Sequence, residues 1–238
     1  MLNLKKLSNN TLLNFYIEKY ELNNILNKEI INYIDLFSFI NGEFICSKDN
    51  NLNYMFFLVD GKVKTYTLHD NGKSLLLRFS KPFSIFGDVE LLTNYNVSCN
   101  VESLGESKLL GIKMSILQKY ACNDTRFLKF IIKNLSNKLY STSNSVSINL
   151  LYPLESRLAS YLLSIAYNKE NIKDNIEINI HKSTEIAPLL GTSYRHLNRI
   201  IAKLVSNEII YKNKESIIIK DIEKLKELSQ GNIYESEY

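Results

Sequence analysis

The 238-residue chain is 45% hydrophobic, enough to bury one large core or two modest ones, and its 29 Lys and Arg against 25 Asp and Glu leave a formal charge of +4 that suits a polyanion-binding protein and an enzyme equally. Three widely spaced cysteines, Cys46, Cys99 and Cys122, argue against a disulfide framework, a CxxC metal knuckle and an iron–sulfur or zinc centre. No stretch approaches the roughly 18 apolar residues of a membrane span and the opening segment lacks an apolar run with a small-residue cleavage site, so a soluble cytoplasmic protein without membrane contact is expected.

From Gly42 to about Lys113 the chain runs in short apolar or alternating stretches, among them "FICS", "YMFFLVDGKVKTYTLHDNGKSLLLRF", "FSIFGDVELL", "VSCNVESL" and "KLLGIK". These predict strands. Asp60-Gly61 and Asp70-Asn71-Gly72 accept the positive φ of tight hairpin turns, so an antiparallel meander in a small β-sandwich or barrel is expected. Polar cap chemistry at Asn123 to Thr125 then opens a different periodicity. Leu128, Ile132, Leu135, Leu139, Thr142 and Val146 recur at a 4-3-4-3-4 spacing, a heptad seam on a helix of roughly 24 residues and about 36 Å. A seam that regular favours pairing with a second copy; the alternative is a long core helix packed on its own β-domain. "STSNS" at 141–145 is poor helix material and predicts a loose distal end.

Pro153 punctuates the chain, after which Leu154, Leu158, Leu162 and Ile165 mark one face of a new helix. A polar loop at 168–175 and a short strand "IEINI" follow. Ser183 or Thr184 can cap a helix running through Leu190, although Pro188 shortens or strains it. Gly191 is placed for a left-handed corner, Ser193 for the next N-cap, and Ile200, Ile201, Leu204 and Val205 for the buried side of that second helix. "EIIYKN" and "SIIIKD" then form a hairpin tipped by Lys212, Asn213 and Lys214. This is the grammar of a winged helix-turn-helix, and residues 181–214 hold six Lys and Arg against two acids. In such a unit the start of the second helix enters the DNA major groove. Tyr194, Arg195, Asn198 and Arg199 are therefore expected to read bases, Ser193 and His196 to meet phosphates, and Lys182, Lys212 and Lys214 to add backbone charge. The expected division is a β-rich domain with N-terminal helices at 1–122, a dimerisation helix at 123–150 and the DNA-binding domain at 151–238. No GxSxG, HExxH, P-loop or dinucleotide fingerprint is present, so no enzymatic activity is expected.

The segments "MFFLVDGKVKTYTLHDNGKSLLLRF" and "FGDVELL", the long helix, "ESRLASYLL" and "GTSYRHLNRIIAKL" together resemble the CRP/FNR family of transcription regulators over almost the whole chain, and the Ser-Tyr-Arg-His-Leu run looks most like its YeiL-like branch. The resemblance implies an α+β protein: a cyclic-nucleotide-binding-like β-roll (double-stranded β-helix or jelly roll) as the effector domain at 1–122, a dimerising helix and a winged helix-turn-helix. Such a homodimer would bind double-stranded DNA at a palindromic operator and engage RNA polymerase. Ser193, Tyr194, Arg195 and Arg199 fall in the family's DNA-contacting slots. Arg195 stands where reference members carry an acid, so the operator is expected to differ from the classical TGTGA half-site. Gly87, Asp88 and Glu90 fall at the family's pocket turn, Cys99 near its pocket Ser, and Thr142 and Ser143 at its adenine-contacting pair. Between Pro82 and Ser107, however, there is no Lys or Arg, whereas Asp88, Glu90, Glu102 and Glu106 are acidic. A cyclic AMP phosphate would lack its countercharge, so cyclic AMP is not expected and the effector stays open. Cys99 reads either as a redox sensor or as an inert small hydrophobe. The competing reading of the whole chain is a cyclic-nucleotide-like sensory module that acts through protein contacts.

Overall fold

The structure is a computed structural model and describes residues 4–166, 175–179 and 183–235. Internal contacts divide these into two units, 4–67 with 80–140, and 68–79 with 141–235. In chain order the elements are β1 (Lys5–Leu7), α1 (Asn10–Lys19), a 3-10 turn (Leu22–Asn24), α2 (Lys28–Ile31), β2 (Asp35–Phe39), β3 (Phe44–Cys46), β4 (Tyr54–Asp60), β5 (Val63–Leu68), β6 (Ser74–Ser80), β7 (Ile85–Phe86), α3 (Asp88–Thr93), β8 (Asn100–Ser103), β9 (Ser107–Lys113), α4 (Met114–Tyr120), α5 (Thr125–Leu151), α6 (Leu154–Ala166), β10 (Ile176–Asn179), α7 (Ser183–Leu189), α8 (Tyr194–Ser206), β11 (Ile210–Lys212), β12 (Ser216–Ile219) and α9 (Ile222–Ser229).

The first unit is built on two antiparallel sheets. One runs β1-β2-β9-β4-β7; in the other, β3, β8 and β5 pair in that order. Side chains on a strand alternate between faces, and β4 buries both. Phe56 and Leu58 turn inward with Phe37, Phe39 and Leu109 against Ile45, Cys46, Val63 and Val101 of the facing sheet. Met55, Phe57 and Val59 turn outward into a helical layer holding Tyr16, Ile17, Leu22, Leu26 and Ile30, together with Phe127 and Ile131 of α5. This explains why "YMFFLVD" is apolar without alternation: each face of the strand meets its own core.

The expected strand "FSIFGDVELL" is corrected. Only Ile85–Phe86 extends, and Asp88–Thr93 is helical. Gly87 causes the change with φ +95°, a left-handed turn that ends the strand and caps α3. A Cβ there would lie 2.8 Å from Met114 Cε, 3.0 Å from Leu52 Cδ2 and 3.1 Å from the Tyr54 carbonyl oxygen, so the position admits only glycine.

Helix α5 runs 27 residues, about 40 Å, rather than the expected 24. The loose end expected at "STSNS" is also corrected, because Ser141–Ser145 are helical. In the second unit their small side chains admit a strand at close range. Ser145 Oγ donates to the Leu77 carbonyl, Asn149 Nδ2 to the Leu76 carbonyl at 3.3 Å, and Arg78 Nη1 to Thr142 Oγ1 at 3.0 Å. Propensity lost to tertiary hydrogen bonds. The same unit holds the small sheet β10-β12-β11 and helices α6 to α9. Helix α6 buries nearly its whole circumference, with Leu158 and Leu162 fully enclosed. Tyr234, also fully buried, ties the end of the described chain to this unit. Its N–H donates to Ser164 Oγ at 2.7 Å, its hydroxyl to Asn149 Oδ1 at 2.9 Å, and its carbonyl accepts from Phe79 N–H at 2.6 Å.

Candidate nucleic-acid interface

Helices α7 and α8 meet at a tight corner. Gly191 takes φ +59°, its N–H donates to the Pro188 carbonyl at 2.9 Å, and Thr192 N–H donates to the Ala187 carbonyl at 3.0 Å. Arg157 of α6 braces the corner by donating from Nη1 to the Leu190 carbonyl at 2.6 Å. Pro188 sits within the last turn of α7, exposed, and the helix ends one residue later. Ser193 caps α8 in extended conformation, its Oγ accepting from His196 N–H at 3.2 Å. The buried side of α8 is Leu197, Ile201 and Leu204; Ile200 and Val205, expected there, are only half-buried.

The opposite side of α8 is polar and cationic. Tyr194, Arg195 and Arg199 are exposed, and neither arginine has a carboxylate partner among the described residues. Two arginines four residues apart on one helix repel each other by a few tenths of a kcal/mol when nothing neutralises them. The first turn of α8 also carries no acid, although the positive end of a helix ordinarily attracts one. Both features leave a positive surface at the helix start. His196 is half-buried, its Nδ1 3.4 Å from Thr192 Oγ1. Lys203 is neutralised by Glu155 at 2.6 Å, a pairing that local sequence could not show. Lys212 ends β11, Lys214 lies exposed in the wing turn, and Asn213 N–H donates to the Ser216 carbonyl to close that turn. Lys212 Nζ donates to Asn198 Oδ1 at 3.2 Å. Lys182, expected to add backbone charge, lies outside the described residues, as do most of the expected loop and the last residue of "IEINI".

The residues expected to line an effector pocket are distributed over both units. In the first, Asp88 is 1% exposed and pairs through Oδ1 with Lys138 Nζ at 2.6 Å, while its Oδ2 has no partner among the described residues. Lys138 also stands 5.8 Å from the Phe86 ring centroid. The run 82–107 holds no cation of its own; this one enters from α5, fifty residues along the chain from Asp88. Its charge is already engaged by Asp88. Burial pushes the Glu90 carboxyl above the usual carboxylate range, with Asp88 adding to the effect. Glu90 lines a cleft of about 670 Å³ with Asn51, Asn53, Tyr54, Asn94 and Lys113. Cys99 is half-exposed beside Ser98; Cys46 is buried, and burial pushes its thiol far above the ordinary range, out of thiolate chemistry. In the second unit Thr142 is engaged by Arg78, and Ser143 is exposed.

Along α5 the heptad seam is open. Ile132 and Leu139 are 62% and 71% exposed, Leu128, Leu135 and Thr142 are partly so, and Val146 is exposed; Tyr140, Leu150 and Leu151 extend the apolar surface. The core contacts of α5 in the first unit come instead from Phe127 and Ile131. Among the described residues no helix is long and apolar enough to cross a membrane, and no cluster of His, Cys, Asp and Glu could hold a metal ion.

Residues 36–122 match the cyclic nucleotide-binding domain and residues 156–228 the Crp-like helix-turn-helix domain. The chain is 27% identical over 194 residues to the regulatory protein YeiL of Escherichia coli O157:H7, covering 82% of this chain and 85% of that protein. It is 21% identical to the CRP-like cAMP-activated global transcriptional regulator of Mycobacterium tuberculosis, over 72% of this chain and 77% of that one. A CRP-family regulator from Thermus thermophilus shares its fold with a TM-score of 0.70 at 19% identity, over 84% of this chain and 99% of the other. A crp/fnr regulator from Eubacterium rectale does so with a TM-score of 0.77 at 17% identity, over 88% and 97%.

Proposed function

Since the chain belongs to the CRP/FNR family of transcription regulators, we propose that it acts as a homodimer that reads a palindromic DNA operator through α8. The observation that carries this reading is the pair Arg195 and Arg199, exposed on one side of α8 without carboxylate partners among the described residues. Arg presents two parallel donors to guanine O6 and N7, and a helix start without acids tolerates the phosphates on either side. Tyr194 and Asn198 join them as base readers, Ser193 and His196 face phosphates, and Lys214 adds charge from the wing. The second copy pairs along Leu128, Ile132, Leu135, Leu139, Thr142 and Val146, and half-sites one DNA turn apart, about 34 Å, suit the pair. The protein works in the cytoplasm, with RNA polymerase as its partner at promoters.

Gly87, Asp88, Glu90, Cys99, Thr142 and Ser143 remain the candidates for a signal site. Cyclic AMP does not suit them, because the cation that reaches Asp88 is already paired with it. Binding-site selection from random duplexes, followed by fluorescence anisotropy at several salt concentrations, tests the proposal. The expected product is a two-fold sequence other than the classical TGTGA half-site, with affinity falling steeply as salt rises. Arg195→Ala and Arg199→Ala should each lose about 1–3 kcal/mol and relax selection at one base pair. Equal competition by duplexes of every composition, or a shallow salt slope with a protein partner, would favour the sensory-module reading instead.

A further inference from the structure

The contact between Lys212 and Asn198 fixes more than a side-chain position. An ammonium group only donates, so the carboxamide must present its oxygen to Lys212 Nζ, 3.2 Å away, and turn its NH2 elsewhere. No protein acceptor among the described residues takes that NH2. Asn198 lies three residues from Arg195 and is half-exposed, so its amide borders that arginine at the edge of the reading side of α8. Lys212 belongs to β11, so the wing strand reaches back to the helix it accompanies.

The usual use of Asn in the major groove is bidentate on adenine, donating to N7 while accepting from N6. Here the accepting oxygen already faces a cation. Adenine N6–H2, itself a donor, would have to approach the same oxygen beside a positive charge. Guanine O6 and N7, or thymine O4, meet no such conflict, because they are acceptors and the Asn198 NH2 donates to them. We propose that Lys212 is a positioning residue that turns Asn198 into a donor-only reader, so that a base with a keto group, guanine or thymine, is preferred and adenine, which can then offer only N7, is disfavoured. This rests on the reading of α8 as the operator-binding helix and extends it to specificity. It also revises the role expected for Lys212 from its sequence position, that of a phosphate contact.

Both side chains are on the surface, so their replacement leaves the fold intact, and a thermal melt of each variant verifies this. Binding-site selection is run on the wild-type homodimer, Lys212→Met and Asn198→Ala, with affinities for matched duplexes measured at two salt concentrations. The wild type should disfavour adenine by about tenfold at one position of the half-site. Lys212→Met should admit adenine at that position alone, and Asn198→Ala should lose preference there. A selective wild type that prefers adenine at that position overturns the assignment. So does a Lys212→Met variant that binds every duplex more weakly by the same factor, with a shallower salt slope, for Lys212 is then a phosphate contact. A wild type with no sequence preference overturns the operator-reading function and this assignment with it.

Discussion

Replacing Lys138 by Met tests whether the first unit is closed around a buried ion pair. Methionine keeps most of the aliphatic stem and its packing on Phe86 but removes the ammonium that lies 2.6 Å from Asp88 Oδ1. Asp88 is 1% exposed and its second oxygen already lacks a partner among the described residues, so the carboxylate would be left inside with no compensating charge. Breaking a buried pair from one side costs about 3–5 kcal/mol. Asp88 opens α3, and the helix start offsets about 0.3–1 kcal/mol of that. A net loss of about 3 kcal/mol follows, equivalent to roughly 6–12 °C in Tm for a chain of this size. The double variant Asp88→Asn with Lys138→Met, which removes both charges, should recover most of the loss. Urea and thermal unfolding followed by far-ultraviolet circular dichroism give the values, tyrosine providing the second probe because the chain has no Trp. A loss under about 1 kcal/mol for Lys138→Met, or no recovery in the double variant, would refute the reasoning, since it would mean that water reaches Asp88 freely.

Gly87→Ala should cost at least about 2 kcal/mol by the same unfolding assay, from the left-handed backbone and a Cβ about 3 Å from the Tyr54 carbonyl. Leu139→Glu places a charge at a seam position that is 71% exposed in one copy; sedimentation should show dissociation to monomers with unchanged single-chain stability. Leu197→Ala, at a fully buried position of α8, should cost about 2–5 kcal/mol and abolish operator binding through loss of the helix rather than of a contact, measured by melting and anisotropy together. Burial pushes the Asp60 carboxyl up, but Lys108, the Gly61 N–H and the Tyr16 hydroxyl outweigh it and hold the group below its ordinary value. A depressed carboxyl adds stability above its unfolded value and loses it as pH falls through the folded one. Asp60→Asn should therefore cost about 0.5 kcal/mol near neutral pH, where solvent screens this half-exposed pair, and nothing once pH is well below 3.8.

The winged helix was legible because each of its parts leaves a local mark: Gly191 at the corner, Ser193 at the cap, the apolar spacing of α8 and the turn residues between β11 and β12. The seam on α5 was legible as a spacing, and the exposure of Ile132 and Leu139 agrees with an unpaired stripe in one copy. Features that depend on partners far along the chain left no such mark. Lys138 finds Asp88 fifty residues away, Lys203 finds Glu155 forty-eight away, and neither pair follows from any periodicity. "STSNS" reads as poor helix by propensity, yet it is helical because Leu77 and Arg78 bond to it. The helical turn after Gly87 was missed for the opposite reason: its apolar residues are too few to show a period.

The stretch 68–79 has a practical consequence for anyone who wishes to cut this chain. It lies within residues 36–122, which match the cyclic nucleotide-binding domain, yet Leu76, Leu77, Arg78 and Phe79 bond to Asn149, Ser145, Thr142 and Tyr234. A fragment begun at 141 would contain every residue of the winged helix and still be missing a wall. Phe79 would no longer cover Tyr161, and the Tyr234 carbonyl would lose its donor. The DNA-reading half is thus not separable by a single break in the polypeptide, and supplying residues 68–79 as a peptide should restore what truncation removes.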